Sequence, residues 1–325
     1  MRLLLLLGML VSLPVDADMA DFFGEFFSRP AKFKKNASYR IGDLGESGAD
    51  GRAFDHRWHE LAFGFPVHES GDGSVWRLAH HTHVEELRTD ARFPGRPVPT
   101  TLWNTGVTGM YSKDYSGERR FTAAVTTGSN ADKPFYSARE LSMGVRAMYR
   151  QPAAEGSKHH FLLMMDFANT RNFANWVPLP GVAWLFDLGE DYKVVAGFPF
   201  LGFFGMPAEK LMVTWFYLPP TNTMLRVGYR LFGPAQVFSH FKWNLRNWFL
   251  HDRADEYDER IYAQEKEVLL GLTMPVTGGL LAEASGGLWF DRRWWTGRGY
   301  KYRHAGRMFN VDDAAFAQMK LSYGW

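Results

Sequence analysis

The chain has 325 residues, of which 46% are hydrophobic, 16% aromatic and 22% charged, and its formal net charge is +2. A net charge so close to zero, without a long basic run, argues against nucleic acid as the main partner. The absence of cysteine excludes disulfide scaffolds, thiolate metal sites, cysteine nucleophiles and a cysteine lipid anchor. The length suits one large domain or two ordinary ones.

The N-terminus has the outline of a secretory signal peptide. An apolar run from Leu3 to Leu13 precedes Val15 and Ala17, which satisfy the small-residue rule for cleavage after Ala17. The run is too short to span a bilayer, because a membrane helix needs about 20 residues. We therefore predict a signal peptide at residues 1–17, followed by a polar periplasmic lead-in at residues 18–37.

The rest of the chain, residues 38–325, repeatedly alternates apolar and polar side chains with the period of two that is typical of β-strands. Such segments include 141–149, 223–231, 280–290 and the C-terminal 318–325, and they are longer than the usual strand of a soluble β-sandwich. Short, turn-like connections alternate with long, charged ones. This pattern predicts an all-β fold, an antiparallel transmembrane β-barrel with short periplasmic turns and long extracellular loops.

The expected number of strands follows from the length of the barrel segment. Dividing the mature length by about 22 residues for a strand and its connection gives roughly 14 strands, with 12–16 allowed. Residues 192–207 form either one long strand or two short ones broken at Pro199. The last strand is expected to pair with the first, because an open edge is unsatisfied in lipid. Tyr323 and Trp325 resemble the signal that outer-membrane proteins present to the barrel assembly machinery.

The polar faces of the predicted strands carry charges of both signs. If these faces line a lumen, the charges either select small solutes at a narrow eyelet or pair with one another and fill the barrel. The candidate lumen-lining residues are Arg146, Arg226, Arg230, Lys242, Arg246, Glu267, Glu283 and Asp291.

Histidines offer the sequence's weak candidate for a metal site. On a strand, His81, His83 and Glu85 share one face and His80 lies on the other. A polar row facing the lumen is the favoured interpretation, because no third segment supplies matching ligands. We predict no metal site and no cofactor.

Lipid-modifying barrel enzymes carry a serine–histidine pair at the lipid-facing surface. Ser239 and His240 are neighbours in sequence, so on a strand they face opposite sides and cannot form a direct dyad. We therefore predict that the protein is not an enzyme and predict no catalytic residue.

Two segments carry a likeness to known sequences. Thr126–Ser137 contains Asp-Lys-Pro-Phe, and Asn169–Trp184 contains Asn-Arg-x-Phe followed by Pro-x-Pro-Gly. These segments resemble an uncharacterised family of bacterial outer-membrane β-barrel proteins, which is defined as a domain of unknown function. The likeness extends over residues 61–325. It implies a fold and a location, and it implies no activity and no catalytic residues.

The sequence thus predicts an exported, porin-like protein of the Gram-negative outer membrane, in contact with lipid and lipopolysaccharide. The expected function is passive or facilitated passage of small solutes, or a structural role in the outer membrane. The alternative is a lipid-modifying barrel enzyme.

Overall fold

The computed structural model describes residues 35–171, 175–189, 191–218, 222–253, 259–298 and 308–324. The predicted signal peptide, nearly all of the lead-in and Trp325 lie outside these ranges. The strands in chain order are β1 Asn36–Leu44, β2 Gly48–Ala49, β3 Arg52–Glu69, β4 Ser74–Thr89, β5 Arg92–Phe93, β6 Arg96–Pro97, β7 Thr101–Tyr115, β8 Arg119–Ala131, β9 Leu141–Pro152, β10 His160–Ala168, β11 Leu179–Asp187, β12 Tyr192–Phe198, β13 Leu201–Ala208, β14 Leu211–Leu218, β15 Asn222–Phe232, β16 Ala235–Phe249, β17 Arg260–Thr277, β18 Leu280–Gly297, β19 Met308–Val311 and β20 Ala314–Gly324. Within the described residues, no helix is long and apolar enough to cross a membrane.

Sixteen of these strands close into one antiparallel barrel. Short strands β2, β5, β6 and β19 lie in the connections. Strand β20 pairs with β1 from Asn36↔Gly324 to Leu44↔Phe316, so the sheet has no free edge. This pairing of the last strand with the first confirms the predicted closure.

The strand number of 16 replaces the predicted value of roughly 14 and lies at the upper end of the allowed range. Strands β10 to β14 have seven to nine residues each. They are therefore shorter than the strand length assumed when the number of strands was predicted. The segment left open around Pro199 forms two of them, β12 and β13.

The two ends of the barrel differ in their connections. Connections such as Ser70–Gly73, 209–210, 233–234 and 278–279 are short, and they lie at the end that we call the turn end. Because consecutive strands are antiparallel, β1 begins and β20 finishes at this end. At the opposite end, the loop end, most connections are longer.

Alternate side chains point outward and inward along each strand. On β20, Met319 is 62% exposed and Leu321 is 47% exposed, whereas Lys320 between them is 5% exposed. In this part of β20 the apolar side chains face out and the polar ones face in, as the alternation predicted. Trp248 on β16 faces inward and stacks on Trp294.

The barrel has a long half and a short half. In the long half β3, β4, β7, β8, β16, β17 and β18 have 13–18 residues, and β1 and β20 complete the wall. In the short half β9 to β15 have 7–12 residues. Strand β16 therefore extends beyond β15 at the loop end. Its last residue pairs in parallel with β8 at Phe249↔Ala131, and we call this pairing the mouth bridge. Strands β8 and β16 are eight positions apart in either direction around the ring, so this mouth bridge joins opposite walls at the loop end.

Candidate solute path

Seven of the eight predicted lumen-lining residues face the barrel interior. They are Arg146, Arg226, Arg230, Lys242, Arg246, Glu267 and Glu283, each on the face of its strand opposite to the exposed apolar side chains. The barrel interior therefore carries charges of both signs.

Asp291 is the exception, and its predicted place in the lumen is wrong. It lies at a β-bulge between β17 and β18 and has a positive φ of 50°. The extra residue reverses the alternation of β18. Asp291 consequently pairs with Lys266 at 2.6 Å and with Arg293 at 2.7 Å, and Lys266 shares its face with the exposed Val268.

A row of directly paired polar side chains crosses ten strands of the interior, and we call it the polar belt. Because strands tilt in a barrel, the belt descends from the loop end on β8 to the turn end on β15. Its members are Asn130, Asn104, His83, Glu60, Arg40, Lys320, Glu283, Thr273, Gln236 and Arg230.

Arg40, Glu60 and Lys320 were not among the predicted lumen-lining residues. The alternation in β1 could have identified Arg40 as an inward residue, because it lies between Tyr39 and Ile41, both of which are exposed.

Two buried arginines lie near the middle of the polar belt: Arg40 is a member of the belt, and Arg226 lies beside it. Arg40 is 6% exposed and its Nη1 lies 3.3 Å from Glu60 Oε2. Arg226 is 3% exposed, its Nη2 lies 3.7 Å from Glu283 Oε2, and its guanidinium lies 3.8 Å from the centre of the Phe238 ring. Three of their donors, Nε and Nη2 of Arg40 and Nη2 of Arg226, have no hydrogen-bond partner among the described residues.

Aromatic side chains fill the long half at mid-height. The rings of Trp58 and Trp289 stack with centroids 4.7 Å apart, and Phe316 packs against both. Gly42 makes room for this stack, because a Cβ at that position would lie 2.0 Å from the Trp58 ring. Solutes therefore have no route through this part of the barrel.

A buried ion network lies on the loop-end side of the aromatic stack. Glu85 is fully buried and lies 3.1 Å from His56 Nε2 and 2.9 Å from His83 Nε2. Arg246 joins Glu85 to Glu265 across the interior, and Arg292 Nε lies 3.4 Å from Glu265. The network ties β4 to β16, β17 and β18.

This network also bears on the weak metal candidate. His81, His83 and Glu85 do face the same side, as predicted, but His81 Nε2 pairs with Asn104 at 3.1 Å, and the Glu85 carboxylate contacts the Arg246 guanidinium. The three side chains therefore do not converge as a ligand set. In the part of the chain that the structure describes, the His and carboxylate group close enough to share an ion is Asp132, His251 and Asp252, and Asp252 is already paired with Arg96 at 2.9 Å.

An apolar cluster fills the interior of the short half over β9 to β13, whereas charged side chains face inward on β9 and β15 at its edges. The cluster consists of Met148, Leu162, Ala183, Leu185, Val195 and Phe200, each at most 3% exposed. These side chains pack against one another from several strands, so this half is also filled.

Between the two filled regions lies a wall of small, half-buried side chains on neighbouring strands. Ala79, Thr108, Thr126 and Gly144 are directly paired across β4, β7, β8 and β9. Their partial exposure inside the barrel indicates space for water. Lys242 and Ala124 lie equally far along β16 and β8 from the mouth bridge, so they lie at the same height on opposite walls. Lys242 is also half-buried. The small-residue wall therefore faces the part of the interior that contains Lys242 and Arg226.

At the loop end, β8 and β16 and the residues that follow them are joined by hydrogen bonds. Asn130 Nδ2 donates to the Asn247 carbonyl at 2.7 Å, and the Asp132 amide donates to the Phe249 carbonyl at 3.1 Å. The Asp132 carboxylate accepts from the His251 amide at 2.8 Å and lies 2.7 Å from His251 Nδ1. We call the Asp132–His251 pair the mouth latch.

The outer surface bears on the enzyme alternative. His240 is 3% exposed and faces inward, whereas Ser239 faces outward between Val227 and Leu270, so the two do not form a dyad. An outward hydroxyl–imidazole contact occurs elsewhere, between Thr82 Oγ1 and His80 Nε2 at 2.9 Å. His80 is stacked on Phe63.

The fold has likenesses among solved structures. The COG4313 outer membrane channel from Pseudomonas putida F1 is 8% identical, with 90% of this chain and 95% of that chain covered and a TM-score of 0.36. OprB from Pseudomonas putida is 11% identical, with 90% and 92% covered and a TM-score of 0.32. OccK7 (OpdD) from Pseudomonas aeruginosa is 8% identical, with 90% and 99% covered and a TM-score of 0.36. No family model matches the chain, and no curated protein matches it in sequence. The description of the barrel rests on the strand pairing itself.

Proposed function

We propose that the protein is an outer-membrane β-barrel that provides a passive path for small polar solutes. A closed antiparallel barrel with apolar side chains outside and polar ones inside is the arrangement that satisfies the backbone in lipid. The outward side chains include Leu270 at 67% exposure and Met319 at 62%, which match the lipid-facing band of such barrels. The turn end then faces the periplasm and the loop end faces the exterior.

The observation that carries the proposed path is the small-residue wall. A barrel of 16 strands usually encloses an aqueous channel, but here the aromatic stack fills one side and the apolar cluster fills the other. The half-buried Ala79, Thr108, Thr126 and Gly144 opposite Lys242 remain as the route for water. We expect a narrow channel of low conductance, which the mouth bridge and latch close in this conformation.

Conductance of the purified protein in planar bilayers tests this proposal. Thr126→Trp should remove most of the single-channel conductance, because the indole would project into the narrow space. Val125→Trp is the matched control: Val125 is the next residue on the same strand, faces outward and is 54% exposed, so its indole would lie in lipid. Equal loss in both variants would contradict the proposed path.

A structural role in the outer membrane is the second candidate, and the mouth bridge and latch favour it because they hold the loop end closed. A wild-type protein that inserts and folds but conducts no ions would support that role.

The lipid-modifying enzyme is the third candidate. Phospholipid hydrolysis by the wild type that is lost in Thr82→Val would support it. Membership of the uncharacterised outer-membrane family stays a prediction from the resemblance.

A further inference from the structure

We infer that Arg40, Arg226 and Lys242 form a binding site for small oxyanions or carboxylates inside the barrel. The inference deepens the proposed function and rests on it for the route by which an anion reaches the site. The three cations lie on β1, β15 and β16, on inward faces of the long half and its boundary with the short half. His240, which neighbours Arg226 across the strands, interacts electrostatically with all three.

Unused hydrogen-bond donors are the first observation behind the site. Nε and Nη2 of Arg40 and Nη2 of Arg226 are buried and lack a partner among the described residues. Arg226 lies 3.7 Å from Glu283, which is within ion-pair range but too long for a hydrogen bond. Buried guanidinium donors without acceptors are costly, so an acceptor that bridges them stabilises the folded barrel.

The local charge balance is the second observation. The cations Arg40, Arg226, Lys242 and Lys320 are grouped with the carboxylates of Glu60, Glu267 and Glu283. Glu60 and Glu283 are engaged by Arg40 and Arg226, and Glu267 accepts from the Trp289 indole at 2.9 Å. Lys242 is directly paired with Glu267 across β16 and β17 but forms no ion pair with a described residue. Four cations against three carboxylates leave the group with one excess positive charge.

The small-residue wall on the other side of this space carries no carboxylate. The directly paired side chains of Ala79, Thr108, Thr126 and Gly144 are all uncharged. A net positive charge between low-dielectric walls concentrates the opposite ion. Cations with several N–H groups recognise oxygen acceptors of phosphate or carboxylate type. The site therefore favours anions over cations.

The binding test uses the folded protein in detergent and sodium phosphate at constant ionic strength. Phosphate should raise the apparent midpoint of thermal unfolding by about 2 °C, because a ligand that binds only the native state stabilises it. Lys242→Gln should lose most of this rise. Lys266→Gln is the matched control, since it removes the same charge from an outward position of the adjacent strand, where Lys266 pairs with Asp291.

The transport test measures the reversal potential across a planar bilayer under a KCl gradient. The wild type should prefer chloride, Lys242→Glu should reverse the preference, and Lys266→Gln should leave it unchanged. A wild type that prefers potassium would overturn the inference. So would a wild type whose unfolding midpoint does not respond to phosphate, or a Lys242→Gln variant that responds as the wild type does.

The two tests separate the inference from the proposed function. A protein that shows the Lys242-dependent response to phosphate but conducts no ions supports the anion site and contradicts the solute path. A protein that conducts ions without anion preference supports the path and contradicts the site.

Discussion

The long and short halves of this barrel are filled by different kinds of interaction. In the long half, buried charges such as Glu85, Arg246 and Glu265 hold the walls together. In the short half, apolar side chains such as Leu162 and Leu185 fill the interior. Buried charges must keep their partners in a fixed geometry, whereas apolar contacts are non-directional. The long half is therefore more strictly specified, and the short half is more tolerant of substitution.

The largest expected effect is the loss of a carboxylate in the long half. Glu85→Gln removes the charge that faces Arg246, His56 and His83. It should lower the free energy of unfolding by about 3 kcal/mol, because the Arg246 guanidinium loses one of its two carboxylate partners inside the barrel. Glu86→Gln is the control: it is the next residue, faces outward, and its side chain is 43% exposed. Urea unfolding of the refolded protein in lipid measures both. Similar stability in the two variants would mean that the buried network does not hold the long half together.

A smaller effect is expected in the short half. Leu162→Ala should lower the free energy of unfolding by about 2–3 kcal/mol through lost apolar contacts and a cavity. Leu163→Ala, on the outward face at 45% exposure, should cost less because lipid fills the space. The same unfolding titration compares the two. If Leu162→Ala costs more than Glu85→Gln, the ranking of the two halves is wrong.

The smallest effect on stability is expected where the halves meet. His251→Ala removes one side of the mouth latch and should cost about 1 kcal/mol or less, because the pair is partly exposed. Its effect on conductance should be larger, with more frequent openings in planar bilayers. His68→Ala, an exposed histidine on β3 toward the turn end, is the control. Unchanged gating in His251→Ala would show that the mouth bridge alone closes the loop end.

The sequence predicted the features that depend on alternation. Because Lys320 lies between Met319 and Leu321, the period of two alone assigns it to the inner face. The same logic placed Arg226 and Glu283 inside, where they form an ion pair between β15 and β18. Antiparallel closure also followed, since every strand that crosses lipid needs a partner on both sides.

Features that depend on local irregularity or on distant contacts were not predictable. Asp291 was misassigned because one bulge reverses the alternation, and no residue pattern announces it. The mouth bridge joins Ala131 to Phe249, strands that are far apart in sequence and on opposite sides of the ring. The anion site joins residues of β1, β15 and β16, and the register that brings them together is set by the whole ring of strands.

The pairing of Asn36 with Gly324 has a consequence for how the fold can be rebuilt. Every other seam of the barrel joins strands that follow one another along the chain, and this seam alone joins the two termini of the described barrel. A short linker from Gly324 to Asn36 would therefore act as one more tight turn, and the chain could be cut at another turn, such as 209–210, without losing a strand pair. Circular permutation is tolerated at exposed turns of this kind. The order in which the strands are synthesised is thus separable from the order in which they pair.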